Sequence, residues 1–323
     1  ICCFKVYFSN EYKLTMFNLL QQTINKPLIF EGVALHSGKS VKMTLLPAEE
    51  DVGIVFKRVD LKKNNIIKAN YKNVSSATLC TTLENEFKNK VSTVEHLLAA
   101  LYIKGIDSVI IEINGDEVPI MDGSSKDFLE ALNSIEMRVL KTKKRFLKIL
   151  ERFSFCDNEK IINVEPSDSF IVDFELNYEN KIIGNQRNFV NFSKDSLDEV
   201  INSRTFCLFK DIEYIKKLGL AKGGSLANAA VVDDEKVLNK EGLRNQKEFV
   251  NHKILDLAGD FILSGFSFLG KVKCTKGGHQ LSNLFLRELL DNNSDKFEII
   301  EFELNKKRTS TSENYPSQIA VNA

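Results

Sequence analysis

One stretch limits the fold more than any other. Residues 247–263 carry Val250, Leu255, Leu257, Phe261 and Ile262 in a pattern that reads as a mostly buried helix. The same stretch carries His252, Asp256 and Asp260 at i, i+4 and i+8, which places all three on one helix face. Carboxylates in an apolar environment need partners, so the fold has to bring groups to this face from distant parts of the chain. Imidazole and carboxylate one turn apart can chelate one ion, and both suit zinc. An isolated HxxxD is common by chance, and a plain polar helix face is the alternative reading.

Three other segments could supply the partners. Ser92-Thr93-Val94-Glu95-His96 opens a helix expected over 92–103, with Gly105 just past its end. An adjacent Glu-His pair offers a ligand and a nearby carboxylate base, but Ser92-x-x-Glu95 also matches a capping box, in which Glu95 would only satisfy the helix start. Lys276-Gly277-Gly278-His279 opens a second helix. Its glycines permit close backbone approach, and a histidine there feels the positive end of the helix dipole. A surface histidine after a turn is the plainer alternative. Gly32-Val33-Ala34-Leu35-His36-Ser37-Gly38 reads as a turn between strands, with His36 in a structural role.

Composition narrows the class of protein. Lys+Arg 44 balances Asp+Glu 44 in 323 residues, so the basic excess of a nucleic-acid binder is missing. No apolar run approaches the roughly 18 residues that span a bilayer. The six cysteines are scattered without a CxxC pair, which argues against a disulfide scaffold or thiolate zinc site and fits a reducing cytoplasm.

Along the chain, 41–46 alternates as a strand, Val55-Phe56 is expected to pair with it after the turn at 51–53, and 108–113 forms a further strand. The turn at 121–125 is placed to cap a helix over 126–135. Residues 141–145, Lys-Thr-Lys-Lys-Arg, read as a solvated interdomain linker. Beyond it come strands near 146–150 and 169–177, a helix at 194–203, the long helix at 247–263, a helix over 279–290 and a closing strand at 297–304. The expected organisation is an extension over 1–16 that is disordered or not native, an N-terminal α+β domain over 17–140, the linker, a C-terminal α+β domain over 146–306, and a polar tail over 307–323.

Taken in order, the motifs resemble one family. Gly32–Gly38, Leu79-Cys80-Thr81, Ser92–His96, Pro119-Ile120-Met121-Asp122-Gly123-Ser124, Ser203-Arg204-Thr205-Phe206, His252-Lys253-x-x-Asp256 and Gly278-His279 resemble the UDP-3-O-acyl-N-acetylglucosamine deacetylases of lipid A synthesis, from about Gln22 onward. The resemblance implies two similar α+β domains, each a β-sheet layer with helices, the helices of both packed between the two sheets. It implies an enzyme acting on UDP-3-O-acyl-N-acetylglucosamine, with zinc held by His96, His252 and Asp256; ferrous iron also suits that ligand set chemically, and a monomer is expected. Glu95 would be the general base, His279 the general acid, Asp260 the carboxylate orienting it, and Thr205 a donor to the reacting carbonyl. Lys253, Phe206, Leu79 and Lys276 would contact substrate. Residues 206–232 would form a hydrophobic passage for the acyl chain, lined by Ile212, Ala221 and Leu226. Thr78 and Leu226 depart from the family pattern, which leaves acyl length open. The competing readings are another zinc amide hydrolase and a protein with a structural metal.

Overall fold

The computed structural model describes residues 19–303. The expected extension over 1–16 and the polar tail over 307–323 lie outside the described residues. Six α-helices lie within that range: α1 (Glu95–Lys104), α2 (Lys126–Asn133), α3 (Asp198–Ile201), α4 (Phe209–Lys217), α5 (Glu248–Phe261) and α6 (His279–Arg287).

A five-stranded sheet takes its strands from 28–113, in the order Leu28–Val33, Ser40–Pro47, Val109–Ile113, Ile54–Arg58, Ile66–Lys68. A seven-stranded sheet takes its strands from 146–300 and is built around Ser267–Thr275, which pairs with Phe146–Ile149, Lys160–Glu165 and Phe170–Asn177. Alternation explains the inner faces: Val41, Met43 and Leu45 are buried along one strand, and Val109, Ile111 and Ile113 along the next. The architecture is α+β.

The pairing of Val55-Phe56 differs from expectation. Ile54–Arg58 does not join Ser40–Pro47; Val109–Ile113 lies between them, antiparallel to one and parallel to the other. Three of the five residues of Val109–Ile113 are completely buried, and the central position covers it on both edges. The stretch 141–145 is not solvated as a whole. Met137–Lys143 is a strand paired with Leu20–Ile24, and Lys144 is buried, its ammonium 3.1 Å from Asp107 and 3.0 Å from the Gly105 carbonyl. A lysine-rich stretch looks solvated in sequence because the carboxylate that neutralises Lys144 lies 37 residues away (144 − 107). The helix expected over 194–203 shrinks to the single turn of α3.

The helix expected over 247–263 forms as α5. Every residue of α5 except Lys253 is buried. One flank of α5 packs on α1 and the other on the strands Phe170–Asn177 and Asn185–Asn191. The helices meet at Gly259, where an added β-carbon would collide with the Glu95 carbonyl and crowd the Ala99 nitrogen. Gly259 is therefore needed for close approach rather than for backbone freedom. Gly259→Ala is expected to cost about 1–3 kcal/mol or more through overpacking, read as a lower midpoint in denaturant with an unchanged slope. An unchanged midpoint would show that the α1–α5 contact yields freely.

Candidate metal centre and its acid–base pair

The α1–α5 contact puts the N-terminal end of one helix against the polar face of the other. His96 comes from α1; His252 and Asp256 come from α5, and one ligand atom from each lies within 4.8 Å of the others. Asp256 Oδ1 lies 3.4 Å from His252 Nε2 and 3.6 Å from His96 Nε2, yet it is buried and makes no hydrogen bond. An orphaned buried carboxylate oxygen is costly, and a divalent cation shared by the three side chains would satisfy it. The donor set, two imidazoles and one carboxylate, fits zinc and leaves a further position open.

Neighbouring groups set the chemical state of these side chains. His252 Nδ1 lies 3.1 Å from the Ser203 carbonyl oxygen. A carbonyl can only accept, so Nδ1 carries the proton and Nε2 presents its lone pair toward Asp256. Burial pushes the His252 pKa down to about 3, against the pull of Asp256, so the ring is neutral as a ligand must be. Asp256 is held well below the usual carboxylate range: burial opposes its charge, but His252, Lys253 and His279 outweigh burial. Its second oxygen, Oδ2, accepts from Lys253 Nζ at 2.7 Å.

Beside the three candidate ligands lie two further titratable groups, Glu95 and His279. Glu95 Oε1 lies 3.6 Å from His279 Nε2, and His279 Nδ1 lies 3.0 Å from Asp260 Oδ2. Burial raises the Glu95 pKa, although His279 and His96 oppose it. Burial disfavours the charged form of His279, but Asp260, Glu95 and Asp256 overcome that and raise its pKa to about 10. The pair therefore joins a carboxylate made more basic to an imidazolium held protonated. The capping-box alternative fails here: Ser92 Oγ donates to the Asp116 carbonyl, α1 starts at Glu95 without a side-chain cap, and Glu95 Oε2 accepts from the Thr81 backbone N–H at 3.0 Å.

The strand before α4 is anchored to α5. Arg204, almost wholly buried, donates from Nε to Glu248 Oε1 at 2.8 Å and from Nη2 to Oε2 at 3.2 Å, which fixes Ser203 over His252. Thr205 donates its N–H to the Gly123 carbonyl at 2.7 Å. The Phe206 ring stands 6.2 Å from the His252 ring, with Lys253 Nζ 5.6 Å from the Phe206 centroid. Phe206–Leu208 runs parallel to Ala230–Val232, and α4 lies in the chain between them. No residue of α4 is buried; Ile212 is half-buried, as is Ala221 in the loop, and Leu226 is exposed. The loop docks by its backbone on the turn after Leu28–Val33, with Lys222 and Gly223 N–H groups donating to the His36 and Leu35 carbonyls. Leu79 is half exposed with φ +66. Lys276 directs its ammonium to Glu159 at 2.6 Å on the surface.

Sequence reasoning singled out seven groups that the structure gathers: Glu95, His96, His252, Lys253, Asp256, Asp260 and His279. It assigned no role to two that touch them. One is the Ser203 carbonyl, which carries no side-chain signal. The other is Thr81, whose hydroxyl donates to Asp260 Oδ1 at 2.7 Å; its only signal was a place in the Leu79-Cys80-Thr81 motif.

Comparison with known proteins supplies the frame. The family model described as "LpxC: UDP-3-O-acyl N-acetylglycosamine deacetylase" matches residues 21–291. The chain is 42% identical over 275 residues to the UDP-3-O-acyl-N-acetylglucosamine deacetylase of Pseudoalteromonas atlantica, covering 84% of this chain and 90% of that protein. It is 43% identical over 286 residues to the protein of the same name from Pseudomonas entomophila, covering 88% and 94%. For the one from Nautilia profundicola the identity is 40% over 284 residues, covering 88% and 95%.

Proposed function

Since the chain belongs to the UDP-3-O-acyl-N-acetylglucosamine deacetylase family by its match over residues 21–291, we propose that it hydrolyses the acetamide of UDP-3-O-(3-hydroxyacyl)-N-acetylglucosamine in a zinc-dependent reaction. The products are acetate and the free amine. The observation that carries the metal dependence is the buried, unpartnered Oδ1 of Asp256 facing two imidazole nitrogens. His96, His252 and Asp256 would hold zinc or ferrous iron, which would supply a Lewis acid and lower the pKa of water toward about 7.

The remaining steps belong to protein groups. Glu95 Oε1 takes the proton of the attacking water, and its raised pKa makes it a better base than an exposed carboxylate. His279 enters the reaction protonated, held so by Asp260 on Nδ1, and Nε2 gives its proton to the departing nitrogen. An amine expelled without that proton would be a very poor leaving group. The cationic His279 and the Thr205 hydroxyl stabilise the negative charge that develops on the carbonyl oxygen. Lys253, balanced by Asp256, and Phe206 border the sugar; Leu79 lies at the mouth, and Lys276 reaches the nucleotide end on exchanging Glu159 for substrate. Every group comes from one chain, so a monomer suffices. Two domains, 17–140 and 146–306, would close over the site. Among the described residues no helix is long and apolar enough to cross a membrane, and the cysteines are free; a reducing cytoplasmic setting suits those thiols.

The passage over 206–232 is part of this reading. Phe209, Tyr214, Leu218 and Leu226 are all 45% or more exposed, so the apolar side of α4 is not used up by packing on the body of the protein. A greasy acyl chain lying along Ile212, Ala221 and Leu226 would cover apolar surface of this kind. Ala221 has φ +52, so a bulky residue there would be strained, and Leu226 is the better probe. Leu226→Trp is expected to move the preference toward shorter acyl chains. Two methylenes are worth about tenfold, so the ratio of kcat/KM for short and long substrates should change by up to about that factor. An unchanged ratio in a folded variant would place the acyl chain elsewhere.

The test of the function is acetate release from the UDP-linked substrate by purified protein, before and after chelation and after zinc is returned. Another acylated sugar turned over in preference would replace the substrate, and activity indifferent to chelation would remove the metal.

A further inference from the structure

Thr81 touches Glu95 directly and reaches His279 through Asp260. Its backbone N–H donates to Glu95 Oε2 at 3.0 Å, and its hydroxyl donates to Asp260 Oδ1 at 2.7 Å. Its carbonyl accepts from the Val94 N–H at the start of α1. All three residues, Thr81, Glu95 and Asp260, are buried. Glu95 stands on α1 and Asp260 on α5, so this one residue joins the two helices at the level of the site.

The consequence lies in which oxygens are left over. With Oε2 of Glu95 occupied by Thr81, it is Oε1 that faces His279 Nε2 at 3.6 Å. With Oδ1 of Asp260 occupied, it is Oδ2 that takes the shorter contact to His279 Nδ1, 3.0 Å against 3.2 Å. A carboxylate on a short side chain rotates easily about its last bond, and one firm donor fixes that rotation. The neighbouring chain fixes Thr81 in turn: Leu79 is held at φ +66 and the Cys80 side chain is buried.

We propose that Thr81 is a positioning residue for the deacetylation, using its hydroxyl to aim Asp260 at His279 and its backbone N–H to aim Glu95. This rests on the deacetylase reading above. Thr81→Val removes the hydroxyl and keeps the shape and the N–H to Glu95. Thr81→Ser keeps both donors. Loss of one hydrogen bond to a charged group is expected to lower kcat by about 10- to 100-fold in Thr81→Val, with KM and bound metal near wild type, and Thr81→Ser should recover most of the rate. In an Asp260→Asn background the Val substitution should cost almost nothing more, because the hydroxyl acts through that carboxylate.

A second readout needs no substrate and no metal. In metal-free protein labelled with nitrogen-15 in histidine, the Nδ1–H proton of His279 should resonate alike in wild type and Thr81→Ser, and shift or vanish by exchange in Thr81→Val. Identical resonances in all three, or a kcat within about twofold of wild type for Thr81→Val, would overturn the proposal. So would a full extra loss on top of Asp260→Asn, or a rise in KM alone. If Thr81→Val does not fold, Thr81→Ser against wild type and the Asp260→Asn comparison with Thr81→Ala carry the same test. If wild type releases no acetate, the functional reading fails while the resonance comparison still decides the positioning.

Discussion

Alanine at His96, at His252 or at Asp256 should leave a folded protein that holds no stoichiometric metal and releases no measurable acetate. Each substitution removes one of only three proposed protein ligands, and two would not close a site around an ion that keeps a position open for chemistry. The three variants should differ in stability. His252→Ala removes a neutral ring, whereas Asp256→Ala strips Lys253 of the carboxylate 2.7 Å away and takes one of three anions from His279. Asp256→Ala should therefore be the least stable. Wild type saturated with zinc should melt above its chelated form, since a ligand at a thousand times its Kd adds about 4 kcal/mol. That increment should vanish in all three variants. Metal analysis and paired melting curves measure both effects, and full occupancy in all three would sink the ligand assignment.

The difference between what could and could not be read in the sequence follows the kind of atom involved. His252, Asp256 and Asp260 were legible because helical periodicity places i, i+4 and i+8 together whatever the tertiary fold. Glu95 and His96 were legible as a pair but ambiguous in role, because a capping box has the same letters. What rules out the capping box is a remote backbone N–H, that of Thr81, on the Glu95 carboxylate. The Ser203 carbonyl that fixes the tautomer of His252 is invisible in sequence for the same reason: every residue has a carbonyl, and only the fold chooses which one is used. The parallel pairing of Ile54–Arg58 with Val109–Ile113 and the burial of Lys144 depend on contacts between distant segments, which local alternation and local charge do not encode.

Glu95→Gln and His279→Ala should keep metal and fold and still lose about 100- to 10,000-fold in turnover, the usual weight of a general base or acid. Their pH behaviour separates this from a structural effect. In wild type, kcat/KM should rise as Glu95 loses its proton, at a pH above the ordinary carboxylate range because burial raises it. It should fall again only when His279 loses its proton, far above the ordinary imidazole range, since the surrounding anions hold it to about 10 against the effect of burial. Asp260→Asn removes the leading anion, so the alkaline limb should move down toward the value of a free imidazole, about 6.5. Glu95→Gln should erase the acid limb and also lower the alkaline one, because Glu95 is the second anion raising His279. Stability should follow the same proton. A histidine raised in the folded state contributes fully below about 6.5 and loses that contribution as pH climbs toward about 10. Asp260→Asn should therefore flatten the alkaline decline in melting temperature. Near-wild-type turnover at every pH in either Glu95→Gln or His279→Ala would remove that residue from the chemistry. A Glu95→Gln variant that lost melting temperature and nothing else would leave Glu95 with a structural role alone.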